Sequence, residues 1–415
     1  MHLCIYEDAL ADNFLPLTFF RPVYDLRCGV MTLREKIGHG VPHTGMTLHV
    51  RPFLADVLRE QNHGISVNRL DADCCLFVNG RIVMTPRAAV LIRRQKSDLL
   101  FVKGDEIVGA CLSGRRLDDI KGQVGTGYPD FSAFADLPRI VLDVTLLVHP
   151  WDILSANAAE IIADHNLIGH GISSRAKIHA GAILAGRSRI AVGKGSVIGP
   201  GAVLDAREGP VVVGRDVRIY PGAVLEGPCA IGDGSVVRIH AKIYAGTSIG
   251  PVCKVGGEIE GSVIHSHANK QHDGFLGDSY LGMWVNLGAG TTNSNLKNTY
   301  GTIRMEINGH SVDTGRIFAG LIAGDHTKTG INSTINTGTV IGPSSNIFGG
   351  GLPPKSVPAF AWGGAAGFET YQLEKALAVA VTVMSRRNVT ASDAYKDLFR
   401  HVYSMTAHER EHFTS

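Results

Sequence analysis

Aliphatic residues recur at intervals of six through the middle of the chain: Val213, Ile219, Leu225, Ile231, Val237, Ile243, Ile249 and Val255. From Ile219 to Ile249 the residue four positions on is always small: Ala223, Cys229, Ser235, Ala241, Thr247 and Cys253. This pattern predicts a prism. The long apolar group points inward once per face, the small residue fits at the corner, and Gly or Pro turns the chain between faces. The same period is present at Ile172, Ile178, Leu184 and Ile190, then shifts by two to Val192, Ile198 and Leu204, as corner insertions would make it. It continues at Leu281 and Leu287, breaks between Asn293 and Thr314, and returns at Ile335, Ile341 and Ile347 before Gly349-Gly350-Gly351 and Pro353-Pro354. A solenoid of hexapeptide repeats is therefore expected over residues 169–360.

The flanks carry other periods. Over residues 1–150, short apolar runs such as Cys75-Leu76-Phe77-Val78 and Ile140-Val141-Leu142 alternate with helical stretches such as Pro86 to Arg94, which predicts an α/β domain. Residues 151–168 form the connecting helix, with Ile153, Leu154, Ile161 and Ile162 at helical spacing. Residues 361–415 are a helical tail: Leu373, Leu377, Ala380, Val381 and Met384 share one face, and Thr390 with Asp393 suggests a capping box for a last helix carrying Leu398, Phe399 and Val402.

Composition narrows the function. The chain has 415 residues, enough for two or three domains, and 50 glycines, in keeping with a tightly turned repeat. Lys plus Arg number 40 against 38 Asp plus Glu, a net charge of +2 that gives no general field for nucleic acid or an anionic membrane. Seven cysteines without a CxxC pair make neither a disulfide framework nor a zinc module, and fit a reducing cytoplasm. No basic segment followed by an apolar one opens the chain, and no run of eighteen apolar residues occurs.

After Val255 polar groups interrupt the repeat: Gly256-Gly257-Glu258-Ile259-Glu260-Gly261, then His265-Ser266-His267-Ala268-Asn269-Lys270-Gln271-His272-Asp273-Gly274-Phe275-Leu276-Gly277-Asp278, then Asn286-Leu287-Gly288-Ala289-Gly290-Thr291 and Asn295. This run resembles the bifunctional N-acetylglucosamine-1-phosphate uridylyltransferase / glucosamine-1-phosphate acetyltransferases. The resemblance implies a left-handed parallel β-helix and an acetyl-CoA-dependent acetyltransferase. His272, ahead of Phe275-Leu276-Gly277-Asp278, would be the general base, and Asn286, Asn295, Phe275, Glu260 and Lys242 would line the acceptor site, with Lys242 in the place of a phosphate ligand. The acceptor would be an amino-sugar phosphate or a nucleotide sugar, and the assembly a homotrimer. Glu260 stands where the family has a basic residue and Phe275 where it commonly has Tyr, so the acceptor need not be glucosamine 1-phosphate. The chemistry suits these residue types. An ammonium cannot attack a thioester until a base takes its proton, and the Gly288-Ala289-Gly290 turn could offer N–H donors to the tetrahedral oxyanion.

The N-terminal domain resembles the sugar nucleotidyltransferase-like domain fused to such solenoids. Its Gly29-x-x-Thr32-Leu33-Arg34-x-Lys36 looks like a worn triphosphate loop. Asn79 stands where those enzymes place a Mg²⁺-binding Asp, and an amide is a poorer ligand. The domain either transfers nucleotides or only binds a sugar nucleotide, which keeps a non-catalytic sensor or scaffold as the alternative. A γ-type carbonic anhydrase would also use this solenoid. His267 and His272 have its spacing, but the position of a third ligand falls on Ile231. The cysteines, His265 and His267 are read as small repeat residues and loop polarity.

Overall fold

The computed structural model describes residues 1–169 and 171–411. The N-terminal domain is built on a seven-stranded sheet. Its strands are β1 (His2–Tyr6), β2 (Gly45–His49), β3 (Ser66–Val67), β4 (Cys74–Asn79), β5 (Leu99–Lys103), β6 (Glu106–Ser113) and β7 (Arg139–Val141). They lie in the order β7-β5-β6-β4-β1-β2-β3. β2 and β4 flank β1 in parallel, while β6 runs antiparallel to both β4 and β5. The parallel strands are buried on both faces, so they read as continuous apolar runs, as in Leu3-Cys4-Ile5 and Cys75-Leu76-Phe77-Val78. Helices α1 (Leu33–Gly40), α2 (Ala55–Gln61), α3 (Pro86–Arg93) and α4 (Gly114–Lys121) accompany the sheet.

Helix α5 (Pro150–Ile168) leads into the solenoid, a parallel β-helix with three faces. The first face begins at Lys177–Ile178, the second at Ile183–Ala185 and the third at Ile190–Val192. In the interior the predicted aliphatic residues stack in register, for example Ile198 on Ile219 on Val237 on Val255, and Leu204 on Leu225 on Ile243 on Ile259. The break after Asn293 holds an antiparallel hairpin, Arg304–Ile307 with His310–Asp313, that lies outside the prism. Its Ile303, Met305 and Ile307 join the core shared with the N-terminal domain.

The nine-stranded third face carries an apolar exterior. Its outward column runs Val212, Ala230, Ser248, Val263, Tyr280, Ile322 and Val340, and Val263, Tyr280, Ile322 and Val340 belong to one core with Phe14, Leu26 and Cys28. The N-terminal domain and α5 are docked on this face. Asn157 of α5, fully buried, bridges the two parts: its Nδ2 donates to Gly246 O at 2.7 Å, while its Oδ1 accepts from Gly29 N at 2.7 Å and Ser248 Oγ at 3.1 Å.

The tail closes the same core. Helix α6 (Leu373–Ser385) buries Leu377, Ala380 and Met384, and helix α7 (Asp393–Met405) buries Leu398, Phe399 and Val402. Phe399 packs edge-on to Phe360 of the solenoid end and against Phe20 of the N-terminal domain. The expected cap is displaced: Ser392, not Thr390, caps α7, its side chain accepting from Tyr395 N, because Asp393 is already the first helical residue.

Candidate functional site

On the second face, Lys242, Glu258 and Phe275 occupy successive rungs of one outward column. Lys242 Nζ lies 3.4 Å from Glu258 Oε2, an exposed pair. Asn295 reaches the same surface: its Nδ2 donates to Asp278 Oδ2 at 2.8 Å, and a Cβ on Gly277 would meet both the Phe275 ring and Asn295 Nδ2. Glu260 is next to this group. Burial, helped by Asp278, Glu258 and Glu226, raises its carboxyl pKa. His272 is exposed on the corner between the first and second faces, where its carbonyl oxygen accepts from Lys270 Nζ at 2.7 Å. The structure thus brings together His272, Lys242, Phe275, Asn295 and Glu260 around one corner and one face. Asn286 is on the adjoining first face, where Asn269 Nδ2 donates to its Oδ1 at 3.2 Å.

The Gly288-Ala289-Gly290 turn stacks directly on this corner, but two of its donors are taken. Gly288 N donates to Thr329 Oγ1 at 3.0 Å and Gly290 N to Asp273 O at 3.0 Å. Coil-to-coil bonding thus takes two of the three N–H groups that the sequence offered to an oxyanion.

The Gly29–Lys36 segment is likewise occupied by the chain's own groups. Gly29 N donates to Asn157, and Val30 N and Met31 N donate to Asp164 Oδ2 at 2.8 and 3.2 Å. Lys36, 3% exposed, pairs with Asp164 and, at 2.7 Å, with Glu160. Burial pulls the ammonium down, and the two carboxylates overcome it, so its pKa is raised. Thr32 caps α1 through a capping box with Glu35, and Arg34 pairs with Asp25 at 2.7 Å. An α5 carboxylate therefore fills the place where the sequence suggested a phosphate.

Outside the carboxyl ends of β1, β2 and β4, where ligands of open α/β sheets bind, lie polar residues that the sequence reading passed over: Glu7, Asp8, Asp12, Arg51 and Arg81. Arg51 pairs with Glu7 and Asp12, and Arg81 with Asp8 at 2.6 Å. Asn79 Nδ2 donates to Asp8 Oδ2 at 2.7 Å and its Oδ1 accepts from Arg81 N. Their signal in the sequence was position, since each follows the end of a buried strand. Mg²⁺ wants carboxylate oxygens free of cations, and Asn79 beside an Arg81-bound Asp8 does not fit it.

His265 and His267 are not loop polarity. His265 is buried, its Nε2 on Asp25 O at 2.9 Å, and His267 packs against Trp284 with ring centroids 4.3 Å apart and the rings tilted. Burial depresses both imidazoles, His267 to about 4. No group of three or more His, Cys, Asp and Glu is arranged to hold a metal among the described residues. Nor, among them, is any helix long and apolar enough to cross a membrane.

Comparison with known proteins bears on the N-terminal part first: residues 3–173 match the family model described as sugar nucleotidyl transferase. The chain is similar to the bifunctional protein GlmU of Synechococcus sp. (strain CC9311), 31% identical over 174 residues that cover 41% of this chain and 33% of the relative. It is also similar to a bifunctional sugar-1-phosphate nucleotidylyltransferase/acetyltransferase of Sulfurisphaera tokodaii, 32% identical over 156 residues, 36% of this chain and 38% of that one. The matched stretch spans about a third of the length of these relatives. Among solved structures, a Francisella novicida UDP-N-acetylglucosamine acyltransferase is 17% identical, covering 57% of this chain and 91% of its own, with a TM-score of 0.25, a likeness too loose to decide fold or function. Beside the part that matches this family model, the chain holds a hexapeptide solenoid with an exposed histidine corner.

Proposed function

We propose that the solenoid is an acetyl-CoA-dependent acetyltransferase acting on an amino-sugar phosphate or nucleotide sugar, and that the sugar nucleotidyl transferase domain activates or holds that sugar, in nucleotide-sugar synthesis of the UDP-N-acetylglucosamine type. The observation that carries this reading is the exposed imidazole of His272 at the edge of a face bearing Lys242, Glu258, Phe275 and Asn295. In the reaction His272 takes a proton from the acceptor ammonium. The free amine attacks the thioester carbonyl, the C–N bond forms, the C–S bond breaks, and the second proton that the nitrogen sheds in becoming an amide goes to the leaving thiolate. Lys242 supplies the cation for an acceptor phosphate, while Glu260 and its neighbouring carboxylates select against a second anionic group.

We propose a homotrimer with its sites between neighbours, a reading that the apolar exposure at the same corner supports. Ile239 and Ile331 are exposed on it by 57% and 74%, whereas the third face is already covered by the chain's own N-terminal domain. Sedimentation as a monomer at micromolar concentration would count against this assembly. The activity is tested by thiol release from acetyl-CoA with a panel of amino-sugar phosphates and nucleotide sugars, run beside pyrophosphate release from UTP with sugar 1-phosphates and Mg²⁺.

A second reading, a sugar-nucleotide sensor or scaffold, is favoured by the filled Gly29–Lys36 segment and by Asn79 on Asp8. Silence in both assays, with a nucleotide sugar binding in a calorimeter, would select it.

A further inference from the structure

The interior column of the first face runs Val237, Val255, Lys270, with Leu287 on the next coil. Lys270 is six residues after Ile264 and six before Leu276, so it holds a position that the repeat gives to aliphatic side chains from Val213 to Val255. It is 2% exposed. An ammonium there is costly, and an apolar side chain of the same length would suit the column better. What the lysine gains is at its far end. Nζ leaves the prism through the corner and donates to the backbone carbonyl of His272 at 2.7 Å. Gly257, with φ +69°, makes room for this contact: a Cβ there would lie 2.7 Å from the His272 carbonyl oxygen and 2.8 Å from Nζ. Burial lowers the ammonium to about 8, and the two carboxylates that face it, Asp273 and Glu258, pull the other way.

We infer that Lys270 is a positioning residue: its bond to the His272 carbonyl fixes the backbone of the corner and so aims the imidazole at an acceptor held over Lys242 and Phe275. This rests on His272 being the general base. A misaimed base costs rate without costing donor binding, and a displacement of about 1 Å can cost about 10²-fold.

The decisive variant is Lys270→Met, which returns an apolar side chain to the column and removes the donor. The expected result is a kcat about 10- to 100-fold lower, with the KM for acetyl-CoA within a few-fold and the melting temperature unchanged or raised. Lys270→Gln, which keeps an N–H donor on a shorter stem, should lose less of kcat than Lys270→Met. A kcat near the parent value in Lys270→Met, or equal losses in the two variants, overturns the inference. Should Lys270→Met not fold, Gly257→Ala puts a Cβ onto the same bond from outside, and full turnover there is equally fatal. A parallel His272→Ala separates the two levels. Its full activity removes the base itself, whereas an inactive His272→Ala beside a fully active Lys270→Met removes only the positioning role.

Discussion

Two loops of this chain carry glycine and polar groups suited to binding a ligand, and the fold treats them in opposite ways. The Gly29–Lys36 segment is turned inward onto α5, where Asp164 and Asn157 take its N–H groups and Lys36. The Gln271–Gly274 corner is turned outward, and His272 is exposed with Lys242 and Phe275 on the adjoining face. Backbone N–H groups and an ammonium will hold any anion of suitable shape, and a carboxylate of the same chain competes at very high effective concentration. The composition of a loop therefore says which chemistry it can do, while its neighbours in space decide whether the chemistry is left for a ligand.

The sharpest way to break this contrast is His272→Ala. If the corner is the catalytic one, kcat falls by about 10² to 10⁴ while the melting temperature hardly moves. A well-folded variant with parental turnover would place His272 with the structural residues. The opposite pattern is expected of Lys36→Met. It strands the buried Asp164 carboxylate beside the half-buried Glu160 and should cost about 3–5 kcal/mol in a urea unfolding experiment. If Lys36 serves a triphosphate instead, Mg·UTP will raise the melting temperature of the parent and not that of the variant.

The seam between the parts also predicts a pH response. His265, His267 and His326 are held neutral by burial, with pKa values below the ordinary 6.5. Below that pH the unfolded chain binds protons that the folded chain refuses, so their contribution to stability is present above pH 6.5 and is lost as the pH falls toward the depressed values. Asp25 acts in the opposite sense. Burial raises it to about 6, so the folded state gains from its protonation as the pH drops through that value. With three imidazoles against this carboxyl, the melting temperature should be lower at pH 5 than at pH 7, and His267→Gln should flatten the slope. A flat profile in the parent would mean that the imidazoles are not sealed by docking. The smallest effect is expected of Tyr280→Phe on the third face. The Tyr280 hydroxyl accepts from Arg27 N at 2.8 Å, and its removal leaves that buried N–H unpaired, at a cost of about 1–2 kcal/mol.

The solenoid was legible because its signal is local. One aliphatic residue every six positions can bury itself only in a prism of that repeat, and the register of Ile219, Val237 and Val255 is the period itself. The strands at Cys74–Asn79 and Arg139–Val141 and the helix at 150–168 were legible for the same reason. Lys270 could have been found by the period alone, since six separates it from Ile264 and from Leu276, but a lysine did not look like filler. Other features were settled only in three dimensions. The outward column from Val212 to Val340 is scattered over more than a hundred residues, and its apolar character means nothing until the coils stack it into one surface for the N-terminal domain. His265 and His267 look like loop polarity until Asp25 and Trp284 are brought against them. Periodicity, a property of neighbours in the chain, determined which elements form. Whether a polar group ends up bonded, buried or open to a ligand depended on residues far off in sequence: Asp164 on Met31, Thr329 on Gly288, Asp8 on Asn79.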